Sequence, residues 1–240
     1  MLPDAVLRYA DHDDAVIDVH LPDGSLRTGA ATRLVVLLHG GFWKVEYDRR
    51  HTRPMARALA DEGCIVATPE YRRVGNGGGW PVTGEDVLLA VRRLPDLLSS
   101  LGLAYRPPVV TGHSAGGHLA LWLATTRLPI ERVVALAPVC DLQEAIRLGL
   151  GSDATRAFLG GGGPSAADPM TLFVDRPSAE VVIVHGEEDD VVPAALSRGL
   201  VAAHPWVTLR EVPGGHFELI GPGSVAWPTV LDALMPPLRP

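Results

Sequence analysis

Apolar runs rich in Val, Leu and Ile alternate with amphipathic segments of helical length from residue 34 onward. Runs that stay apolar at consecutive positions are typical of strands buried on both faces of a parallel sheet. The alternation therefore predicts βαβ units and an α/β fold. The predicted strands are Leu34–His39, Cys64–Glu70, Pro108–Gly112, Arg132–Pro138, Glu180–His185 and Val207–Val212.

Ahead of these strands, Ala5–Tyr9 and Ala15–Leu21 predict an edge hairpin whose second run ends in the turn Pro22–Gly24. Between Cys140 and Ser178 a stretch rich in glycine and proline interrupts the alternation and predicts a small helical insertion, the candidate lid. We expect one domain over residues 1–240, with the insertion at 140–178. The predicted helices are Arg53–Glu62, Gly84–Ser99, Gly116–Thr126, Ala194–Ala203 and Ser224–Met235.

Composition narrows the class of protein. The net charge is -7 and no basic block exceeds two arginines, so no nucleic-acid partner is expected. The first twenty residues contain five aspartates and no apolar signal region, and no apolar run approaches membrane-spanning length; we expect a cytoplasmic protein without a membrane partner. Cys64 and Cys140 lie in apolar runs, as buried thiols do, and the absence of CxxC and HExxH spacings gives a metal site little support.

A serine between two glycines is the first candidate for chemistry. Gly112–Gly116 reads G-H-S-A-G, with a predicted strand before it and a predicted helix after it. Such a strand-turn-helix elbow exposes a nucleophile at a helix N-terminus, and the flanking positions require glycine because side chains there would clash. We therefore predict Ser114 as the nucleophile. The alternative is a serine that only caps a helix.

A glycine pair follows the first long strand, in the sequence His39-Gly40-Gly41-Phe42-Trp43. A tetrahedral intermediate needs backbone donors around its oxyanion, and a loop with little side chain at its closest approach can supply them. We predict an oxyanion hole made of the N–H groups of Gly41, Phe42 and Ala115. His39 is expected to be a hydrogen-bonded structural residue.

The base and its acid are predicted in two later loops. A serine hydroxyl needs a base, and the base needs an acceptor that fixes its tautomer. His216 lies in a glycine-rich loop after the last predicted strand, and four carboxylates follow the strand that ends at His185. The order nucleophile, acid, histidine fits an elbow of this kind. The candidate acids are Asp189 and Asp190, with Asp141 as a weaker one, whereas Glu187 and Glu188 are expected to be solvated loop charges.

Together the segments HGGFW, GHSAGGH, HGEEDDVVP and GGHF resemble the α/β-hydrolase superfamily, and in particular its kynurenine formamidase and small carboxylesterase branch. The resemblance implies an eight-stranded, mostly parallel sheet, no cofactor, and a triad of Ser114, Asp189 and His216. Asp189 is preferred over Asp190 because related sequences carry the acid four residues after His185. The hormone-sensitive-lipase branch has a third glycine where this chain has Phe42, which leaves the second oxyanion donor open.

Further residues are candidates for the substrate pocket. Phe42 and Trp43 follow the glycine pair, and we expect one of them at the acyl or leaving-group site, with core packing as the alternative. Trp80 lies in a segment that resembles a pocket-lining loop of these enzymes, and core packing is again the alternative. His113 precedes the nucleophile and is expected to pack or hydrogen-bond beside it.

The sequence thus predicts a serine hydrolase that cleaves a small ester or activated amide through an acyl-enzyme, without cofactor or metal. An arylformamidase acting on N-formylkynurenine is the alternative, and an acyltransferase or a non-catalytic binding protein of the same fold are weaker ones. The expected partner is a small-molecule acyl substrate, and the expected state is a monomer or homodimer.

Overall fold

The computed structural model describes residues 1–23 and 31–235. All eight strands in this part of the chain belong to one sheet. In chain order they are β1 (Ala5–Arg8), β2 (Val16–His20), β3 (Leu34–Leu38), β4 (Ile65–Pro69), β5 (Val109–His113), β6 (Arg132–Leu136), β7 (Glu180–Gly186) and β8 (Thr208–Val212).

The sheet has the order β1-β2-β4-β3-β5-β6-β7-β8. β1 and β2 form an antiparallel edge hairpin, β2 pairs antiparallel with β4, and every other pairing is parallel. The predicted eight-stranded, mostly parallel sheet is therefore confirmed, and each strand ends within two residues of its expected bounds. Gly24 of the predicted turn after β2 lies outside the described residues.

Helices connect the parallel strands, as the amphipathic segments predict. The predicted insertion between Cys140 and Ser178 consists of short helices joined by tight turns. The α-helices are α1 (Arg53–Asp61), α2 (Val82–Ser100), α3 (Ala115–Ala124), α4 (Leu142–Leu148), α5 (Leu150–Leu159), α6 (Pro169–Leu172), α7 (Ala195–Ala203) and α8 (Trp227–Leu234).

Apolar side chains cover both faces of the sheet. Along β3, Leu34, Val36 and Leu38 belong to the core on one face, and Val35 and Leu37 belong to the core on the other. Burial on both faces explains why the strand is apolar at every position. Cys64 and Cys140 are free thiols within these cores.

The carboxyl ends of the parallel strands position the candidate chemistry. In open parallel sheets, loops that leave the carboxyl ends of neighbouring strands meet at one edge. The loops after β3, β5, β7 and β8 carry the predicted oxyanion donors, nucleophile, acid and base. Across residues 1–23 and 31–235, none of the helices has the length and apolarity needed to cross a membrane.

Candidate active site

Ser114 forms a sharp elbow between β5 and α3. Its backbone lies at φ 57 and ψ -117, a conformation that residues with a Cβ rarely adopt. The Ser114 N–H donates to the Leu136 carbonyl on neighbouring β6 over 2.8 Å, which helps to hold the turn. A strained residue of this kind persists only where its surroundings fix it, and such residues cluster at functional sites.

The glycines around Ser114 are needed for close backbone approach. A Cβ on Gly112 would overlap the Gly116 carbonyl, and a Cβ on Gly116 would overlap the Leu38 carbonyl at the end of β3. Gly40 lies directly against the elbow, because a Cβ there would come within 2.7 Å of the His113 carbonyl oxygen. The glycine loop after β3 is thus packed onto the serine turn.

Asp189 and His216 form a buried carboxylate–imidazole pair. His216 Nδ1 donates to Asp189 Oδ2 over 2.6 Å, and Asp189 Oδ1 accepts from the N–H groups of Val191 and Val192 over 2.9 and 2.8 Å. Burial alone would raise the pKa of the Asp189 carboxyl, but hydrogen bonds from His185, His216 and Val192 outweigh it and hold that pKa well below its usual range. The pair therefore contains a charged carboxylate that fixes the orientation and tautomer of His216.

The structure separates Asp189 from the other candidate acids. Asp190, Glu187 and Glu188 are exposed to solvent. Asp141 caps α4, because its Oδ1 accepts from the Glu144 N–H over 2.8 Å. Of the five carboxylates considered, only Asp189 contacts His216.

Ser114 and His216 line one cavity of about 450 Å³. Within the described chain the Ser114 hydroxyl makes no hydrogen bond, to His216 or to any other group. Contacts between nucleophile and base are often long in a site without substrate. The cavity is lined by Gly41, Phe42, Tyr47, His51, His113, Ser114, Val191, His216, Phe217 and Ile220.

Three predicted backbone donors lie at or beside this cavity. Gly41 (φ 105) and Phe42 (φ 51) both have left-handed backbones and line the cavity, and Ala115 begins α3. The N–H groups of all three make no hydrogen bond within residues 1–23 and 31–235. Free amides beside a nucleophile are what an oxyanion hole requires. The structure thus brings all three predicted donors to the site.

His113 lies under the base. Its Nε2 donates to the His216 backbone carbonyl over 2.9 Å, and the two rings are 4.4 Å apart. Burial lowers the pKa of His113 to about 3, helped by the neighbouring His216, so the ring is neutral at physiological pH. Of Trp43, Trp80 and His113, His113 is the one that lines the cavity.

The tryptophans predicted for the pocket do not reach it. Trp43 is 1% exposed and stacks on Phe158 of α5 with ring centroids 4.3 Å apart. Trp80 packs edge-on against Trp122 and Phe158, with centroids 5.1 and 6.0 Å away. The correction has a simple cause: successive left-handed residues at Phe42 and Trp43 turn the loop, so Phe42 faces the cavity and Trp43 enters the core.

Several lining residues were not predicted. Tyr47 and His51 follow the glycine loop, and Val191, Phe217 and Ile220 follow the acid or the base. Most of them are close in sequence to a motif residue, and this closeness could have predicted their place in the cavity. His51 stands outside every motif and offered no such signal. His51 packs edge-on against His39 at 5.8 Å.

A second buried pair supports the glycine loop from below. His39 Nε2 donates to Glu70 Oε1 over 2.7 Å, and its Nδ1 lies 2.9 Å from the Gly40 carbonyl. Tyr71 stacks on His39 at 4.1 Å and donates its hydroxyl to the His39 carbonyl over 2.6 Å. His39 is a hydrogen-bonded structural residue, as expected.

Another cavity, of about 430 Å³, lies at the amino ends of the strands, where Leu34, Pro108 and Ile130 line it. The described residues of its lining are apolar apart from Arg92 and the Tyr105 hydroxyl, and none of them forms a nucleophile–base pair. Among the residues that the structure describes, no group of His, Cys, Asp and Glu could hold a metal ion.

Comparison with known proteins identifies similar sequences. The BD-FAE family model matches residues 17–147, more than half of the chain. Esterase LipQ of Mycobacterium tuberculosis is 25% identical; the alignment covers 80% of this chain, which spans about half (51%) of that protein's length.

Solved esterases share the fold. Esterase B from Lactobacillus rhamnosus superposes with a TM-score of 0.78 at 19% identity, covering 97% of this chain and 84% of that one. Esterase 2 of Thermogutta terrifontis, solved in a form phosphonylated by sarin, gives a TM-score of 0.78 at 22% identity and covers 97% and 93%.

Proposed function

Because the chain belongs to the BD-FAE family of α/β-hydrolase esterases, we propose that it cleaves small carboxylic esters through an acyl-serine intermediate. The observation that carries the proposal is the convergence of three features on one cavity. They are a strained serine elbow, the Asp189–His216 pair, and unpaired N–H groups on both sides of the serine.

The mechanism begins with Ser114. Its Oγ attacks the ester carbonyl while His216 Nε2 takes the hydroxyl proton, and Asp189 stabilises the resulting imidazolium. The N–H groups of Gly41, Phe42 and Ala115 stabilise the negative charge on the carbonyl oxygen. His216 then donates its proton to the departing alcohol, which leaves an acyl group on Ser114.

Deacylation repeats these steps with water. His216 removes a proton from water, the hydroxide attacks the acyl carbonyl, and the proton returns to Ser114 as the acid leaves. A cavity of about 450 Å³ suits a small acyl substrate. None of the described lining residues is Asp, Glu, Lys or Arg, which favours uncharged acyl and alcohol groups.

The names of related proteins support an esterase. The curated relative and the two solved structures are all called esterases, and one of them was phosphonylated by an organophosphorus agent. Such agents modify activated nucleophiles, which suggests the labelling experiment below. The proposal for this chain depends on Ser114 reacting in the same way.

The test combines a fluorophosphonate probe with two substrates. We expect the probe to label the protein stoichiometrically and Ser114→Ala to abolish labelling while retaining the fold. p-Nitrophenyl acetate should be hydrolysed. The rate of N-formylkynurenine cleavage tests the formamidase alternative. Labelling that persists in Ser114→Ala would refute the serine mechanism. Faster cleavage of the formamide than of the ester would replace the esterase by an arylformamidase, and ester formation with an added alcohol exceeding hydrolysis would indicate an acyltransferase.

A further inference from the structure

The loop that supplies two oxyanion donors has an unfavourable backbone. Phe42 and Trp43 have φ values of 51 and 56, and residues with a Cβ rarely occupy this left-handed region. Such a conformation lasts only where other parts of the molecule impose it. The direction of the Phe42 N–H therefore depends on contacts from outside the loop.

Three such contacts come from α5. The Trp43 ring stacks on Phe158 at an interplanar angle of 13°. The Phe42 ring lies against Gly151, where a Cβ would come within 2.7 Å of two ring carbons. Lys44 Nζ donates to the Gly151 carbonyl over 2.8 Å. Three successive loop residues are thus held by one helix of the insertion.

Lys44 is chemically singular in this chain. It is the only lysine in the 240-residue sequence, and the other twenty residues of the Lys and Arg total are arginines. A lysine ammonium is compact and sits on a flexible stem, so it suits a single carbonyl acceptor, whereas the planar guanidinium fork suits paired acceptors. The part-buried contact with Gly151 matches the lysine geometry.

Gly151 is equally constrained. Its φ of 60 is left-handed, as are those of Ser152 and Asp153 behind it, so α5 begins with a tight turn before it becomes regular. A side chain at this position would be strained by the left-handed backbone and would overlap the Phe42 ring. The turn therefore presents a carbonyl to Lys44 and a flat contact surface to Phe42.

We propose that Lys44 and Gly151 are positioning residues that fix the Phe42 N–H in the oxyanion hole, with the first turn of α5 acting as a clamp on the loop. The inference rests on the proposed esterase function. In this proposal the insertion positions the glycine loop for catalysis, whereas the sequence suggested that it forms a lid. Neither residue contacts the reacting atoms; both act through Phe42.

The consequence for rate follows from the geometry of oxyanion donors. A donor must lie about 2.7–3.1 Å from the developing oxyanion, and losing one costs about 10²–10³-fold in kcat. Releasing Lys44 leaves the Phe42 donor in place but less well directed. We therefore expect Lys44→Cys to lower kcat by about 10–100-fold, with KM changed less than about twofold.

The cysteine variant permits a chemical rescue. 2-Bromoethylamine alkylates the thiolate with loss of bromide and installs an ammonium at the length of the lysine side chain. Cys64 and Cys140 are at most 1% exposed, so only the introduced thiol should react. Methyl methanethiosulfonate, which adds an uncharged group, is the paired treatment. Arg147→Cys is the matched control, because Arg147 is exposed on α4 and its one partner among the described residues is Glu144.

Aminoethylation should restore most of the lost kcat in Lys44→Cys, the uncharged adduct should not, and neither treatment should alter kcat in Arg147→Cys. A trifluoromethyl ketone, which forms a tetrahedral adduct with Ser114, should lose affinity by the same factor as kcat/KM. If Lys44 had a purely structural role, Lys44→Cys would lower the melting temperature, but the loss of inhibitor affinity would not match the loss in kcat/KM. Gly151→Ala, which pushes on Phe42 directly, should show the same loss in kcat.

Two outcomes would overturn the positioning role: a kcat for Lys44→Cys within twofold of wild type, or equal rescue by the charged and the uncharged adducts. Failure of the proposed function has a different signature. If the proposed function is wrong, hydrolysis and probe labelling will be the same in the wild type and in Ser114→Ala. The positioning role would then fail as well.

Discussion

Two carboxylate–imidazole pairs lie at the carboxyl edge of the sheet and are built alike. Asp189 and His216 are joined over 2.6 Å, and Glu70 and His39 over 2.7 Å. In both pairs the carboxylate also accepts backbone N–H bonds, and in both its pKa is lowered although burial alone would raise it. The two carboxylates are therefore alike in their hydrogen bonds to backbone and in the direction of their pKa shifts.

The second ring nitrogen distinguishes the pairs. His39 Nδ1 faces the Gly40 carbonyl and the ring is covered by Tyr71, so both of its nitrogens are occupied. His216 Nε2 has no partner within the described residues and opens on the cavity beside Ser114. A carboxylate–histidine pair becomes a base only where the free nitrogen meets a nucleophile and a space for substrate.

The charge around the carboxylates differs as well. Glu70 lies between Arg49 and Arg73, with N–O distances of 3.4 and 3.1 Å, so its charge is balanced within the core. Among the described residues, the partners of Asp189 are imidazoles and peptide N–H groups. The Glu70 pair is suited to stability, and the Asp189 pair to receiving a proton on His216.

The largest expected effect comes from the substitution that removes the base. His216→Ala should lower kcat by about 10⁶-fold, because Ser114 would have no proton acceptor. Asp189→Asn should lower it by about 10⁴-fold, because the amide favours the wrong histidine tautomer. Steady-state kinetics with p-nitrophenyl acetate measures both, and melting temperature serves as the folding control. Activity above about 1% of wild type in His216→Ala would mean that this pair does not supply the base.

The second prediction concerns stability. Glu70→Gln should lower the free energy of unfolding by about 3–5 kcal/mol, because it removes the buried negative charge that pairs with His39 and lies between Arg49 and Arg73. Arg49 and Arg73 keep their ion pairs with Asp18 and Asp14. The loss in kcat should be far smaller than for His216→Ala. Urea denaturation at pH 7 measures the first quantity and ester hydrolysis the second. A rate loss comparable with that of Asp189→Asn would show that the two pairs do not have separate roles.

The same residue gives a pH prediction. Although burial would raise it, hydrogen bonding and charge from His39 lower the pKa of Glu70 from its ordinary value near 4.5 to about 2. Because the folded-state pKa lies below the unfolded one, this stabilisation is complete above about pH 5 and is lost as the pH falls toward 2. It amounts to about 3 kcal/mol.

The measurement compares unfolding of the wild type and Glu70→Gln between pH 7 and pH 2. The difference between their stabilities should narrow as the pH falls through this range. Asp189 contributes in the same direction in both proteins, so it cancels in the comparison. A gap that stays constant down to pH 2 would contradict an ionised Glu70 in the folded protein.

Sequence patterns predicted the sheet, Ser114 and His216 from local chemistry: an apolar run, a glycine-flanked turn, a loop after a strand. The choice of Asp189 among neighbouring carboxylates depended on the resemblance to related sequences. The patterns did not decide whether Trp43 is core or pocket, since that depends on the left-handed turn at Phe42. The pairing of His39 with Glu70 was equally hidden, because it requires knowing that β3 and β4 are neighbours. Side-chain direction and strand adjacency are tertiary properties.

The smallest expected effect comes from a substitution at Tyr71, the residue that stacks on His39. Tyr71→Phe removes a hydroxyl that donates to the His39 carbonyl over 2.6 Å but keeps the ring stacked on the imidazole. We expect a loss of about 1–2 kcal/mol in the free energy of unfolding, because a buried carbonyl loses a hydrogen bond. kcat should change less than about threefold, since Glu70 and the Gly40 carbonyl still hold both nitrogens of His39. Chemical denaturation and ester hydrolysis on the same preparation separate the two quantities. A rate loss exceeding tenfold with unchanged stability would show that the His39 pair tunes the glycine loop during catalysis and does more than support it.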